Sequence, residues 1–245
     1  MSIGSALLIF VGGLFAGFVN AMAGGGSLLT VPLLALAGVD GLLANGTNRV
    51  SVLLSTLTTG RGFSKGGYVD WAQILPVAAP AVVGGAVGSV AVSQIDDQLF
   101  ERVFGAVMIP LLILALRPKR ADAAPSQWPL PLTIAVFFLA GIYAGAIQAG
   151  VGLILLLILN RAGHDLVTGN AIKNFVVTGV SLIAVPVFVF QGQVRWLPAL
   201  VLSAGTMIGG YAGANSAVSG GEKVVKPVLA VAVLILAGKM LGLYG

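Results

Sequence analysis

Long apolar stretches without a charged residue alternate with short polar segments along this chain. The longest are residues 1–39 and 123–160, and others cover 50–60, 71–95, 103–116, 174–194, 196–221 and 227–238. A membrane-spanning helix needs about 20 mainly apolar residues. The two longest stretches exceed one helix each, so each must fold back or break.

Glycines mark the positions where the two longest stretches are expected to break. Residues 20–27 read NAMAGGGS, and residues 148–152 read QAGVG. The apolar pieces that follow, 28–38 and 153–160, would cover only about half of a ~30 Å hydrocarbon core at ~1.5 Å per residue. The pattern predicts re-entrant hairpins or discontinuous helices at both places.

The order of the glycine and aromatic motifs repeats after about 125 residues. GLFAG at 13–17 corresponds to GIYAG at 141–145, with Asn20 matching Gln148. Two further pairs are GYVDW at 67–71 with GQVRW at 192–196, and GGAVG at 84–88 with GGYAG at 209–213. We therefore expect three helices after the broken segment of each half, over 43–63, 72–94 and 99–116 and then over 167–190, 196–216 and 225–243.

The sequence predicts an all-α integral membrane protein built from two tandem repeats of about four membrane segments each. Repeat 1 covers residues 1–116, a polar basic linker covers 117–128, and repeat 2 covers 129–245. The repeats are parallel if the broken first segment of each half spans the membrane, and inverted if it is re-entrant. Inverted repeats place most Lys and Arg on the linker side, so the positive-inside rule favours them, with the linker in the cytoplasm.

Composition excludes several classes of protein. Of the 245 residues, 58% are hydrophobic and 9% are charged, and the mean hydropathy is +1.03. Because an ordinary soluble domain is roughly a quarter charged, this chain is neither a soluble enzyme nor a nucleic-acid-binding domain. The net charge of +5 comes from short clusters between apolar stretches. The absence of cysteine removes disulfides and thiolate metal sites.

Two polar runs contain the candidate binding chemistry. One reads ANGTNR at 44–49 and the other GNAIKN at 169–174, and each begins a predicted membrane helix and contains one cation. Every carboxylate lies at a predicted segment end or in a loop, so Arg49 and Lys173 are the charges expected within the membrane. Polar residues there usually face a cavity, and the N-termini of broken helices can bind anions. The pattern favours a small anion as ligand.

Structural roles are the alternative for some of these residues. Arg49 and Lys173 are also placed to snorkel to the interface from a helix end. The glycines at GxxxG spacing are expected to serve helix packing, whereas Gly24–Gly26, Gly150 and Gly152 are expected to form functional breaks. The sequence contains no catalytic, metal-binding or nucleotide-binding motif. We therefore predict no enzyme activity, no catalytic residue, no cofactor and no metal site.

These motifs together resemble those of the TauE/SafE sulfite exporter family. The resemblance rests on Gly12-Gly13, Gly17 and Asn20, on GGGSLLTVP at 24–32, and on NGTN at 45–48. The second half is similar to that family's second repeat through Gly141, Gly145, Gln148, Gly150, Asn170, Lys173, Trp196 and the glycines at 209–213. One departure is that the second half keeps only Gly150 and Gly152 where the first has three consecutive glycines.

The resemblance implies a secondary transporter that exports sulfite, a sulfonate or a sulfoacetate-like anion across the bacterial cytoplasmic (inner) membrane by alternating access. We expect substrate contacts from side chains and glycine backbone at Asn20, Gly25, Gly26, Ser27, Asn45, Thr47, Asn48, Arg49, Gln148, Gly150, Gly152, Asn170, Lys173 and Asn174. The expected partners are a small anion and the lipid bilayer, without nucleic acid, and a homo-oligomer is one option. The alternatives are an anion channel of the same fold and a nontransporting membrane scaffold.

Overall fold

A computed structural model describes residues 1–23, 26–39, 41–65, 67–116 and 128–216, together with 231 and 234. Over these residues the chain is helical, and no strand is present in the described part. The described helices are α1 (Ile3–Ala23), α2 (Ser27–Leu36), α3 (Gly41–Lys65), α4 (Trp71–Val92), α5 (Asp97–Leu116), α6 (Leu130–Ala146), α7 (Val151–Arg161), α8 (Leu166–Phe190) and α9 (Trp196–Ser216).

The helices predicted at 43–63, 72–94, 99–116, 167–190 and 196–216 all form, with ends within two residues of those expected. Residues 117–127 of the linker and the helix predicted at 225–243 lie outside the described residues, apart from 231 and 234.

Four described helices are long and apolar enough to cross a membrane: α1, α4, α5 and α8. Shorter apolar segments of 10–17 residues are α2, α6, α7 and Trp196–Ala212 of α9. Helix α3 has 25 residues but lacks the hydropathy of a lipid-facing span. The polar side chains of its first half, including Asn45, Asn48 and Arg49, are buried, whereas Thr58, Arg61 and Lys65 in its second half are exposed. The first half of this helix is therefore an interior element, covered by its neighbours.

Two parallel helix pairs, α1 with α9 and α4 with α6, flank the centre of the molecule. Both pairs approach closely at glycines. A Cβ on Gly17 would lie 2.9 Å from the Gly210 backbone nitrogen, and a Cβ on Gly145 would lie 2.7 Å from the Gly85 Cα. Small residues permit such close backbone contact between membrane helices.

Helices α3 and α8 pack against each other in antiparallel orientation between these pairs. A Cβ on Gly46 would lie 3.0 Å from the Phe188 Cβ, near the start of α3 and the end of α8. Toward the other end of α3, the Asn174 side chain donates to the Thr56 carbonyl at 3.0 Å. Helix α8 therefore contacts α3 from near its start to Thr56.

Carboxylates cap the N-termini of both central helices. The Asp165 carboxylate accepts hydrogen bonds from the Val167 and Thr168 backbone N–H groups at 2.9 and 3.1 Å. Hydrogen bonds from Thr168 lower the pKa of Asp165. At the start of α3, the Asp97 carboxylate accepts from the Leu42 N–H at 2.8 Å. Because Asp97 begins α5, this bond also fixes α5 beside the start of α3.

Candidate functional site

The turn between α6 and α7 meets the start of α2 inside the molecule. The Gly150 N–H donates to the Ser27 hydroxyl at 3.0 Å. Two turn residues separated by Ala149 have left-handed backbone near this contact, since Gln148 has φ +64° and Gly150 has φ +66°. That conformation is uncommon for a residue with a side chain and is typical of functional sites. The start of α2 and the α6–α7 turn are thus brought together.

The Arg49 side chain is completely buried against the C-terminal end of α6. Its Nη2 donates to the Gly145 carbonyl at 2.6 Å, and its Nη1 donates to the Gln148 Oε1 at 2.7 Å and to the Ala144 carbonyl. The guanidinium carbon also lies 5.5 Å from the centre of the Phe188 ring, within the range of a cation–π contact. Arg49 therefore joins α3 to the α6–α7 turn.

The α6 terminus needs these contacts because the last carbonyls of a helix have no partner within the helix. The Asn45 amide, one turn before Arg49, donates to the Ala146 carbonyl at 2.8 Å. Tyr143 donates its hydroxyl to the Ala149 carbonyl in the turn. A cation at a helix C-terminus also interacts favourably with the helix dipole. The amide and the guanidinium of α3 together satisfy a helix end that is buried away from water.

Several polar atoms beside this contact are buried and have no hydrogen-bond partner among the described residues. On α3 they are Asn45 Oδ1, both amide atoms of Asn48, and Arg49 Nε. The side chains of Asn45, Asn48 and Arg49 are all 0% exposed. Positions i, i+3 and i+4 share one face of a helix, so these atoms belong to one patch. This patch, hereafter the α3 polar patch, is the strongest candidate for a ligand contact.

The second polar run lies at a different level of the bundle. Asn174 bonds to Thr56, seven residues beyond Arg49 on α3, or ~10 Å along the helix axis. Lys173 is half-buried, and its ammonium donates to the Asn170 Oδ1 at 2.8 Å. The structure therefore places the two predicted cations at two separate levels along the α3–α8 pair. These levels, hereafter the two polar stations, are marked by Arg49 and by Asn174 with Lys173.

The two cations also differ by one position in the alignment of α3 with α8, which explains part of their different placement. Helices α3 and α8 both have 25 residues and begin at 41 and 166. When their first residues are aligned, Arg49 matches Asn174, and Lys173 matches Asn48. Consecutive positions on a helix point about 100° apart. The two cations therefore occupy different helix faces. Composition alone does not indicate this difference, because both polar runs contain amides and one cation.

The remaining predicted residues have mixed placements. The Thr47 hydroxyl accepts from the Arg195 N–H at 2.9 Å, which ties α3 to the start of α9. Asn20 is exposed at the end of α1, and Gly152 is half-buried in the first turn of α7. A Cβ on Gly26 would overlap the Ala16 carbonyl, so Gly26 is needed for close packing. Gly25 lies outside the described residues.

Two polar contributions were not anticipated from the sequence. Tyr143 bonds within the α6–α7 turn, and the Ser51 and Thr206 hydroxyls lie 3.1 Å apart where α3 meets α9. The tyrosine could have been singled out because it interrupts the apolar GIYAG motif. The described residues contain no group of three or more His, Asp or Glu side chains that could hold a metal ion.

Comparison with known proteins places this architecture in a family. The sequence profile described as "Sulfite exporter TauE/SafE" matches residues 9–240. The chain belongs to the TauE/SafE family. The family assignment made from the glycine and amide motifs is therefore confirmed, and with several apolar helices the chain is a multi-pass membrane transporter of this family.

Curated relatives align with almost the whole chain. A "Probable membrane transporter protein ORF9" of Sinorhizobium sp is 27% identical over 237 residues, covering 95% of this chain and 91% of the relative. A "Probable membrane transporter protein" of Haemophilus influenzae is 28% identical, covering 98% and 96%. The "Probable membrane transporter protein YfcA" of Escherichia coli K12 is 23% identical, covering 96% and 88%. No solved structure gives a significant match.

Proposed function

We propose that this TauE/SafE member is a secondary transporter that exports a small sulfur-containing anion across the bacterial cytoplasmic membrane. The observation that carries the proposal is the α3 polar patch, where buried donors beside a buried guanidinium have no partner among the described residues. The carboxylates of the described residues lie near helix ends or in loops, and none is buried. Buried cations and amides without buried acids suit an anion rather than a metal cation.

We further propose that the two halves are inverted repeats. In support, the corresponding helices α3 and α8 run antiparallel, whereas α1 runs parallel to α9 and α6 runs parallel to α4. These directions agree with inverted repeats if α1–α2 and α6–α7 are re-entrant hairpins. Each half then crosses the membrane three times, and α1 and α6 enter from opposite faces. Trp71 and Trp196, exposed at corresponding helix starts, would anchor opposite interfaces.

This arrangement supports alternating access as the transport mechanism. The two hairpins touch through the hydrogen bond between Gly150 and Ser27. One polar station, at Arg49, lies near the start of α3. The other lies further along α3, where Asn174 of α8 bonds to Thr56. Movement of one hairpin against the other would expose the stations to opposite sides in turn. A transporter of this kind binds lipid and its anion, and needs neither nucleic acid nor a resident cofactor.

Flux measurements in proteoliposomes test the proposed function. The panel contains sulfite, thiosulfate, a taurine-like sulfonate, sulfoacetate and chloride, each offered with and without an imposed pH gradient. We expect saturable flux of at least one sulfur oxyanion and acceleration by the same anion on the opposite side. Non-saturating flux without trans-stimulation would indicate a channel, and no flux from folded protein would contradict the transporter assignment.

Replacing Lys173 with glutamine is expected to reduce flux of the transported anion without loss of folded protein. Lys173 is half-buried near the start of α8, where its ammonium can supply a charge-assisted hydrogen bond. Such bonds contribute roughly 1.5–3 kcal/mol, which corresponds to about a tenfold to hundredfold fall in flux at subsaturating substrate. The matched control is Lys65→Gln, at the exposed end of α3. Equal flux for Lys173→Gln and wild type would remove Lys173 from the site.

A further inference from the structure

The α3 polar patch has a definite complement of hydrogen-bonding atoms. Its unpartnered donors are Asn48 Nδ2 and Arg49 Nε, and its unpartnered acceptors are Asn45 Oδ1 and Asn48 Oδ1. Buried polar groups nearly always have a partner, and exceptions point to a ligand or an ordered water. The complement therefore constrains the chemistry of whatever occupies the patch.

This complement does not depend on how the amides are oriented. The Asn45 nitrogen is fixed because it faces the Ala146 carbonyl, which can only accept. The Asn45 oxygen is therefore the unpartnered atom. Both amide atoms of Asn48 lack partners, so exchanging its oxygen and nitrogen leaves one donor and one acceptor. Two donor nitrogens and two acceptor oxygens thus remain without a partner in either case.

From this complement we infer that the transporter recognises its anion as the monoprotonated form, an oxyanion that still carries one O–H group. The inference rests on the proposed function and specifies the substrate of that same site. Charged oxygens of such an anion would accept from Asn48 Nδ2 and Arg49 Nε. Its O–H would donate to the oxygen of Asn45 or Asn48. A fully deprotonated dianion offers no donor, so both amide oxygens would remain unpartnered.

The surrounding charges also disfavour a dianion. The terminal nitrogens of Arg49 already donate to Ala144, Gly145 and Gln148, which leaves Nε as the only guanidinium nitrogen without any partner among the described residues. The C-terminal end of α6 carries the negative end of its dipole. A single negative charge therefore matches one guanidinium beside a helix C-terminus better than two negative charges do.

Other ionisable groups on helices packed against α3 do not bond to this patch. Asp97, Glu101 and Arg102 lie in the first turns of α5, and Lys173 lies in the first turns of α8. Tyr143 uses its hydroxyl for the Ala149 carbonyl. None of these groups hydrogen-bonds to Asn48, whose amide atoms have no partner. In this proposal the proton crosses the membrane on the substrate oxygen, and none of these described carboxylates takes part at the patch.

The test compares two anions of similar size in proteoliposomes with a pH-sensitive dye inside. Sulfite changes between its monoprotonated and dianionic forms near neutral pH, whereas methanesulfonate has no O–H in this range. We expect saturable sulfite flux that follows the monoprotonated fraction, falling about tenfold for each pH unit above the substrate's own pKa. One proton should accompany each sulfite, and methanesulfonate should compete weakly. Protein-free vesicles correct for passive passage of the neutral acid.

The variant Asn48→Leu removes one donor and one acceptor while breaking no hydrogen bond within the described structure. We expect it to fold and to lose most of the preference for sulfite over methanesulfonate. Equal transport of both anions without proton movement by the wild type would overturn this inference and leave the proposed transporter intact. Flux that follows the dianion fraction would overturn it as well. Absence of flux for every anion in the panel would overturn both proposals.

Discussion

Replacing Arg49 with glutamine is expected to give the largest loss of stability of any single polar substitution in the described bundle. The change removes donors to the Ala144, Gly145 and Gln148 oxygens from a side chain that is completely buried in this structure. Hydrogen bonds to a charged group contribute roughly 1.5–3 kcal/mol each, so the loss should reach several kcal/mol. The measurement is the midpoint of thermal unfolding of the detergent-solubilised protein.

The replacement Arg49→Lys separates the contribution of the positive charge from that of the guanidinium hydrogen-bond geometry. A lysine keeps the cation but lacks the planar guanidinium with its five N–H donors. We therefore expect a midpoint between those of wild type and Arg49→Gln. Arg61→Gln is the control, because Arg61 lies exposed near the end of the same helix and should unfold like wild type. An Arg49→Gln protein as stable as wild type would disprove the structural role of this guanidinium.

Replacing Gly145 with alanine is expected to disrupt the contact between α4 and α6. The added Cβ would lie 2.7 Å from the Gly85 Cα and carbonyl carbon, and closer still to the Gly85 carbonyl oxygen. Backbone atoms cannot turn aside as the end of a side chain can, so the helices must separate. Overpacking typically costs about 1–3 kcal/mol. We expect a lower unfolding midpoint and reduced yield of monodisperse protein on size-exclusion chromatography.

Gly169→Ala supplies the matched comparison on another helix. A Cβ at Gly169 would lie 3.8 Å from the nearest atoms, in Leu156 and Leu159, which is ordinary contact. Alanine also favours a helix by about 1 kcal/mol over glycine. This variant should therefore be at least as stable as wild type. If both alanine variants unfolded at the wild-type temperature, close backbone approach at Gly145 would not be required for stability.

Most helices could be predicted from the sequence because hydrocarbon imposes a simple rule on each segment. Spans need long apolar stretches, and charges are confined to their ends. Helices α3, α4, α5, α8 and α9 therefore end within two residues of their predicted ends. The family could also be recognised from short stretches of sequence, namely the glycine and amide motifs around residues 13–32, 45–48 and 141–152.

The site was only partly predictable, because composition does not specify which atoms already have partners. Each polar run contains one cation, and the sequence alone suggested similar roles for Arg49 and Lys173. In the folded protein, Arg49 donates to the end of α6, whereas Lys173 lies with Asn170 at the other station. The Thr47 hydroxyl, which was predicted to contact substrate, also accepts a hydrogen bond from the Arg195 N–H.

The sequence by itself determined the helical membrane class, the helix boundaries and the family, because each depends on residues close together along the chain. Only the tertiary structure decided that the α6–α7 turn meets Ser27 and that α3 supplies the partners for the end of α6. It also decided which buried polar atoms remain available to a ligand. The physical reason is that a hydrogen bond between residues about 100 positions apart depends on how the helices pack against each other. The hydropathy pattern along the chain does not specify that packing.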